Sequence, residues 1–263
     1  MANYWNLVNK VIDESDLLLL ILDSRMPELT RHKEIELKIK QKNKKLLYVL
    51  NKCDLITKEQ AEEIKKNFKP SVFVSSTKKL GGTILYKKIM ELVKGKESVI
   101  GILGYPNVGK SSVINLLKGQ KSASVSPVSG HTKGIQFVKR GKLKLIDTPG
   151  VLPFDEKDPE KSIEKQVIIG SKNPEHLKEP EYFAMRLIDL QPKLFEKYYN
   201  LTYENDSYTF LEKIAISKKI LLKGNTPDLK RMARSLLYDW QRGKIHEFFL
   251  KNNQQKNINK FNY

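Results

Sequence analysis

Eight residues, Gly104-Tyr105-Pro106-Asn107-Val108-Gly109-Lys110-Ser111, have the types and spacing to hold a polyphosphate. They fit G-x-x-x-x-G-K-[ST] between an apolar run at 98–103 and a helical pattern at 112–117. Glycines let backbone N–H groups turn inward around phosphate oxygens, and the N-terminus of the next helix adds positive potential. Lys110 would reach the β and γ phosphates, and Ser111 would give an oxygen to Mg²⁺. Val108, Gly109 and Ser112 complete the phosphate-facing set. The plain alternative is a glycine turn between a strand and a helix.

A second group is independent of the first. Asn51-Lys52-Cys53-Asp54 closes another apolar run. A carboxylate at Asp54 can accept both N1–H and the exocyclic amine of guanine, a donor pair that adenine lacks. Asn51 can brace a neighbouring loop, and the Lys52 stem can cover the base face. Ser75, Ser76 and Thr77 end the next run, where backbone N–H groups would meet the guanine O6. Alone, the first tetrapeptide is a common turn and the second a helix entry; beside a phosphate loop both read as base recognition.

A third group is Asp147-Thr148-Pro149-Gly150. Asp147 would hold Mg²⁺ through water, and the Gly150 N–H would meet the γ-phosphate. Thr132 stands where a mobile threonine could complete the metal shell. His131 beside it could approach an attacking water, though an exposed loop histidine is the commoner outcome. Cys53 reads as a small packing residue rather than a redox sensor.

These groups need elements to hold them. Strand-like runs at 17–23, 45–51, 71–75 and 98–103 alternate with helical patterns at 35–41, 58–68 and 84–93. That alternation predicts βαβ units and a mostly parallel sheet. Residues 135–138 and 143–147 read as an antiparallel hairpin with a turn at 139–142, which makes the sheet mixed. Beyond residue 150 helical patterns replace strands, at 160–169, 180–190, 192–199, 207–222 and from 226 onward. Thr226 is expected to cap the last helix, with Pro227 at its first position. Its apolar residues Leu229, Met232, Ala233, Leu236, Leu237 and Trp240 line one helical face. The expected domains are 1–153 (α/β) and 154–263 (all-helical, ending in a poorly ordered tail).

Charge points to a partner. The chain has 263 residues, 48 basic and 30 acidic, a formal net charge of +18. Residues 1–150 carry 28 basic and 14 acidic side chains, residues 151–206 carry 8 and 12, and residues 207–263 carry 12 and 4. Such an excess at both ends implies a polyanion, most often nucleic acid; the alternative is a solvated lysine-rich surface. The series Lys38, Lys40, Lys42, Lys44 and Lys45 leaves the same choice open. One cysteine makes no internal disulfide, and no Cys/His set has zinc-ligand spacing. The longest apolar run, 17–22, is too short to span a bilayer, and no signal-peptide pattern opens the chain. A cytoplasmic location with no membrane partner is expected.

Together the motifs resemble those of the Ras-like GTPases, but their order is changed: base recognition precedes phosphate binding. The chain is similar to the circularly permuted GTPases, in the branch of ribosome biogenesis GTPase A and the nucleolar GTPases. Residues 10–16 (KVIDESD), 22–27 (LDSRMP) and 237–245 (LYDWQRGKI) resemble that branch. The resemblance implies a circularly permuted P-loop GTPase domain and a helical, RNA-contacting C-terminal domain. It implies GTP/GDP as ligand, Mg²⁺ as cofactor, and ribosomal RNA of the large ribosomal subunit as partner of a monomer. Lys110, Thr132, Gly150 and Asn107 would carry hydrolysis. Val151 stands where many Ras-like GTPases have a water-orienting glutamine, so positioning and positive charge must do that work. Asn107 resembles the asparagine that in some relatives holds K⁺, or is an ordinary polar loop residue. A GTP-controlled switch for a protein or membrane partner is the rival function.

Overall fold

The computed structural model describes residues 2–119, 136–147 and 159–246. The described residues up to 147 belong to one compact unit and residues 159–246 to another. The first unit runs α1 (Ala2–Glu14), β1 (Leu17–Asp23), a single turn α2 (Pro27–Thr30), α3 (Lys33–Gln41), β2 (Lys45–Asn51), α4 (Lys58–Asn67) and β3 (Ser71–Phe73). It continues through α5 (Gly82–Leu92), β4 (Ser98–Leu103), α6 (Lys110–Lys118), β5 (Gln136–Arg140) and β6 (Leu143–Asp147).

The six strands form one sheet in the order β3-β2-β1-β4-β6-β5, parallel except for β5. β1 holds the middle because every residue from 17 to 22 is apolar, and each is fully buried. A strand covered on both faces reads as a continuous apolar run. Register then decides what shares an edge. Asp23 lies beside Asn51, Leu20 beside Leu103, and Ile102 beside Asp147. The parallel strands therefore end together, at the edge where ligands sit in open α/β sheets.

On one face of the sheet, Val8, Val11 and Ile12 of α1, Ile35 and Ile39 of α3 and Ala61 of α4 join one core with Leu18, Leu20 and Leu22. Each such aliphatic side chain contributes roughly 1.5–3 kcal/mol through burial. Gly101 in β4 lets α1 approach: a β-carbon there would lie 2.7 Å from Leu18 Cδ1 and press on Ser15 and Val11. α1 is not among the expected helices, although Val8, Val11 and Ile12 have helical spacing.

Four of the five lysines in the 38–45 series have partners inside the fold. Lys38 lies 4.6 Å from the Trp5 ring centre, and Lys42 pairs with Asp13. The Lys44 ammonium donates to the carbonyls of Asp13 (3.0 Å) and Ser15 (2.9 Å), and that of Lys45 to Leu92 (2.6 Å). Lysines at helix C-termini meet carbonyls that have no helical partner.

The second unit consists of α7 (Pro159–Ile168), a 3-10 turn (Pro174–His176), α8 (Pro180–Leu190), α9 (Pro192–Tyr199), α10 (Ser207–Ser217) and α11 (Leu229–Gln241). Phe195, Phe210, Leu236, Leu237 and Trp240 are buried in its core. The Trp240 indole N–H donates to the Ile168 carbonyl at 2.7 Å, pinning α11 to the end of α7.

Three boundaries correct the sequence reading. The hairpin turn is only Gly141 and Lys142, because β5 extends through Lys139 and Arg140 to pair with Lys144 and Leu143. α10 stops at Ser217, where Lys219 takes φ +55° and leaves the helical region. α11 starts at Leu229, capped by the Asp228 carboxylate on the Arg231 N–H (3.0 Å), instead of at Thr226 and Pro227. Those two residues belong to a tight turn, in which the Leu222 N–H donates to the Thr226 carbonyl and the Asp228 N–H to that of Ile220.

Candidate nucleotide-binding site

The phosphate-type loop leaves β4 and returns as α6, whose first residue is Lys110. Gly109 has φ +96°, and a β-carbon there would run into the Asn51 amide. Asn107 is also left-handed, at φ +61°, which asparagine tolerates better than most residues. Lys110 is only 6% exposed, and its ammonium donates to the carbonyls of Gly104 (3.0 Å) and Tyr105 (2.8 Å). The charged end is thus held folded over its own loop at the helix N-terminus. Ser111 and Ser112 are exposed on the first turn of α6, while Val108 is buried beneath the loop.

Asn51 ties this loop to the base-type loops. Its amide nitrogen donates to the Val108 carbonyl (2.8 Å), and its amide oxygen accepts from the Ser76 N–H (3.1 Å). One buried side chain at the end of β2 therefore spans three loops. Asp54 is buried in the 3-10 turn Cys53–Leu55, entered through Lys52 at φ +61°. The Cys53 N–H donates to the Val74 carbonyl (3.1 Å), fixing the turn to the strand beside it. In the serine loop, the Ser75 N–H donates to the Leu80 carbonyl and the Ser76 N–H to the Asn51 amide oxygen. Burial and the neighbouring Asp54 charge push the Cys53 thiol up to about 12, which suits packing and opposes reactivity.

Asp23, which belongs to none of the expected site motifs, is central to this edge. It is 5% exposed, and its carboxylate receives Nε (3.1 Å) and Nη2 (2.7 Å) of Arg25 as well as the Lys52 ammonium (2.7 Å). Burial opposes the charge on Asp23, but Arg25 and Lys52 together outweigh it and hold the carboxyl well below the usual carboxylate range. Burial lowers the Lys52 ammonium, with Asp23 working the other way. The tether lays the Lys52 stem along the end of β2, where it can wall a base pocket. Its signal was present in the LDSRMP string, but the pairing depends on the register that sets Asp23 against Asn51.

Mg²⁺ calls for hard oxygen donors and needs few of them from protein when phosphates supply the rest. Ser111 offers an accessible hydroxyl, and the backbone of Asp147 ends β6 beside Ile102, next to the strand that feeds the phosphate loop. These residues fit such an ion. Thr132, His131, Thr148, Gly150 and Val151 lie outside the described residues.

The family described as 50S ribosome-binding GTPase matches residues 99–198. The chain is 41% identical over 251 residues to an uncharacterized GTP-binding protein of Methanocaldococcus jannaschii, covering 92% of this chain and 66% of that one. It is 36% identical over 259 residues to nucleolar GTP-binding protein 2 of Saccharomyces cerevisiae, covering 94% and 53%. The chain thus spans between about half and two thirds of the length of these curated relatives. The crystal structure of GNP-bound YlqF from T. maritima matches with a TM-score of 0.63 at 21% identity, over 93% of this chain and 95% of that one. That likeness concerns the fold. With a base-type loop ahead of the phosphate-type loop in the chain and both at one sheet edge, the protein has a P-loop GTPase fold in circularly permuted order and is a relative of these GTP-binding proteins.

Proposed function

We propose that the chain binds GTP and GDP at the sheet edge, hydrolyses GTP, and acts in assembly of the large ribosomal subunit by docking on ribosomal RNA through its helical domain, 154–263. The observation that carries the nucleotide part is Asn51, whose single side chain joins the N-K-x-D turn, the serine loop and the phosphate loop. A structural turn has no need for such a link, whereas a ligand gripped at both its base and its phosphates does.

In this reading Asp54 reads guanine, Lys52 covers the base and Thr77 meets O6. The N–H groups of 108–112 cradle the phosphates, and Lys110 exchanges its two carbonyls for phosphate oxygens. Ser111, Asp147 and Thr132 would hold Mg²⁺, which supplies charge neutralisation between the phosphates when bound. The Gly150 N–H would sense the γ-phosphate. Since the Val151 side chain has no hydrogen-bonding group, the chain relies on positioning and cationic charge; Asn107 would place K⁺ against the phosphates, and K⁺ should then accelerate turnover relative to Na⁺. Among the described residues no helix is long and apolar enough to cross a membrane. The proposed protein is a cytoplasmic monomer, although several relatives carry the name nucleolar.

The test is pelleting of the full chain with purified large subunits in GTP and in GDP. Retention that depends on the nucleotide supports the proposal. Equal failure to pellet in both, with guanine nucleotide still bound, would favour a switch acting on a protein partner.

A further inference from the structure

The chain uses lysine for almost all its positive charge: 41 of its 48 basic residues are Lys and 7 are Arg. Where arginine does occur, the first four of the seven along the chain have the guanidinium engaged by a carboxylate or an aromatic ring. Arg25 grips Asp23 through two nitrogens, and Arg31 grips Glu36 in the same way (2.8 and 2.7 Å). Arg140 lies 4.4 Å from the Tyr86 ring centre, and Arg186 bonds Glu164 at 3.3 Å. The remaining three, Arg231, Arg234 and Arg242, all line one cavity of about 480 Å³ on the outer face of α11.

Their spacing puts them on one helical face, opposite the buried Met232, Ala233, Leu236, Leu237 and Trp240. Tyr238 lies on the same face, its hydroxyl donating to Asn173 (2.6 Å) and its ring 5.2 Å from the Arg242 guanidinium. Two carboxylates enter the cavity and both are engaged: Asp239 pairs with Lys244 at 2.8 Å, and Glu175 stands 4.0 Å from Arg234 Nε. Four cations against two anions leave a net positive cavity. Arg234 Nε is buried with no hydrogen-bond acceptor, a state that an incoming oxygen would relieve.

We propose that this cavity binds one nucleotide unit of a single-stranded or looped RNA segment, its phosphate on Arg231, Arg234 and Arg242 and its base against Tyr238. The inference rests on the proposed RNA role of the helical domain and names the site within it. The fork of arginine matches phosphate oxygens in pairs, while lysine acts as a point charge. An aromatic ring beside guanidinium groups suits an unstacked base, which duplex RNA does not offer. The cavity volume lies within the usual range for small-ligand sites. Among the described residues, none of the exposed large apolar side chains lines it, which argues against a lipid surface.

The test uses the full chain and a fluorescein-labelled RNA hairpin with a short single-stranded loop. Replacing all three arginines by lysine (R231K, R234K, R242K) preserves net charge and removes the forks. Affinity should fall about tenfold or more, while the dependence on salt stays unchanged because the number of cations is the same. As a control, Lys218→Gln with Lys219→Gln, just beyond the end of α10, should cost little. A triple variant that binds like the parent overturns the proposal. Arg242→Lys alone, exposed on the surface, repeats the test if the triple variant melts early. Should the parent bind neither the hairpin nor large-subunit RNA, the RNA reading itself fails. Displacement of the hairpin by phosphatidylserine vesicles or a phosphoserine peptide, but not by unlabelled RNA, would give the site to another anion and also overturn the proposal.

Discussion

Asp23 is where the chemistry of single residues departs furthest from what their order suggests. Removing its charge by Asp23→Asn leaves Arg25 and Lys52 without their counter-ion, a loss of roughly 3–5 kcal/mol for a buried pair. Because the folded carboxyl is held well below its unfolded value, this stabilisation is complete above the ordinary carboxylate pKa and is lost only as pH falls into strong acid. Urea unfolding of parent and variant from pH 7 downward should show the gap narrowing only in acid. The same variant should weaken binding of a fluorescent GDP analogue while keeping the preference for guanine, because Asp54 is intact. In a Lys52→Met background it should weaken binding no further. Asp54→Asn should instead lose roughly 2–4 kcal/mol toward GTP and gain affinity for xanthosine triphosphate, since an amide then meets a donor edge; unchanged GTP affinity would remove the base assignment. Cys53, the one cysteine, should alkylate far more slowly in the folded chain at pH 8 than after unfolding, its thiol being pushed up to about 12 by burial. Asp54 and Lys110 were legible in sequence because their motifs are local. Asp23 was not, since its partner Lys52 is brought to it only by strand register.

Elements were readable in proportion to how much of their cause is local. β1 and β2 have the bounds their apolar runs predict, as does α8, which starts at Pro180. α11 was found by its apolar face, but its first turn was misplaced: Thr226 and Pro227 look like a cap and a first position, yet backbone bonds from Leu222 and Asp228 draw them into a turn. The choice between Thr226 and Asp228 as cap lies in those non-helical bonds, which propensity does not include. Trp240 carries the docking of this helix. Trp240→Phe keeps the aromatic packing but leaves the Ile168 carbonyl without its donor, a loss of roughly 1–3 kcal/mol. Urea unfolding followed by far-ultraviolet circular dichroism should report a lower midpoint; an unchanged midpoint would mean that another donor or water replaces the indole.

For the molecule as a whole, charge and connectivity set the terms. On the proposed role, net +18 predicts that any binding to large subunits weakens steeply with salt, each phosphate contact adding roughly 0.7–0.9 to the log–log slope. Pelleting across a salt series should give a slope near −4 for about five contacts, and a flat response would move the partner away from RNA. The permuted order of motifs was legible because each motif is local, and their meeting at one edge followed from the parallel sheet. The same order has a cost during synthesis. β1 lies between β2, which follows it early in the chain, and β4, which is completed only at Leu103. Until then the nascent chain displays its most apolar strand, 17–22, with one edge free of partners and no charge along it. Such an edge recruits other strands. Translation stalled before β4 should therefore yield aggregates, whereas release after β6, which covers the other edge of β4, should yield soluble chains. Pausing or chaperone capture between those two points would govern how much of this protein a cell recovers.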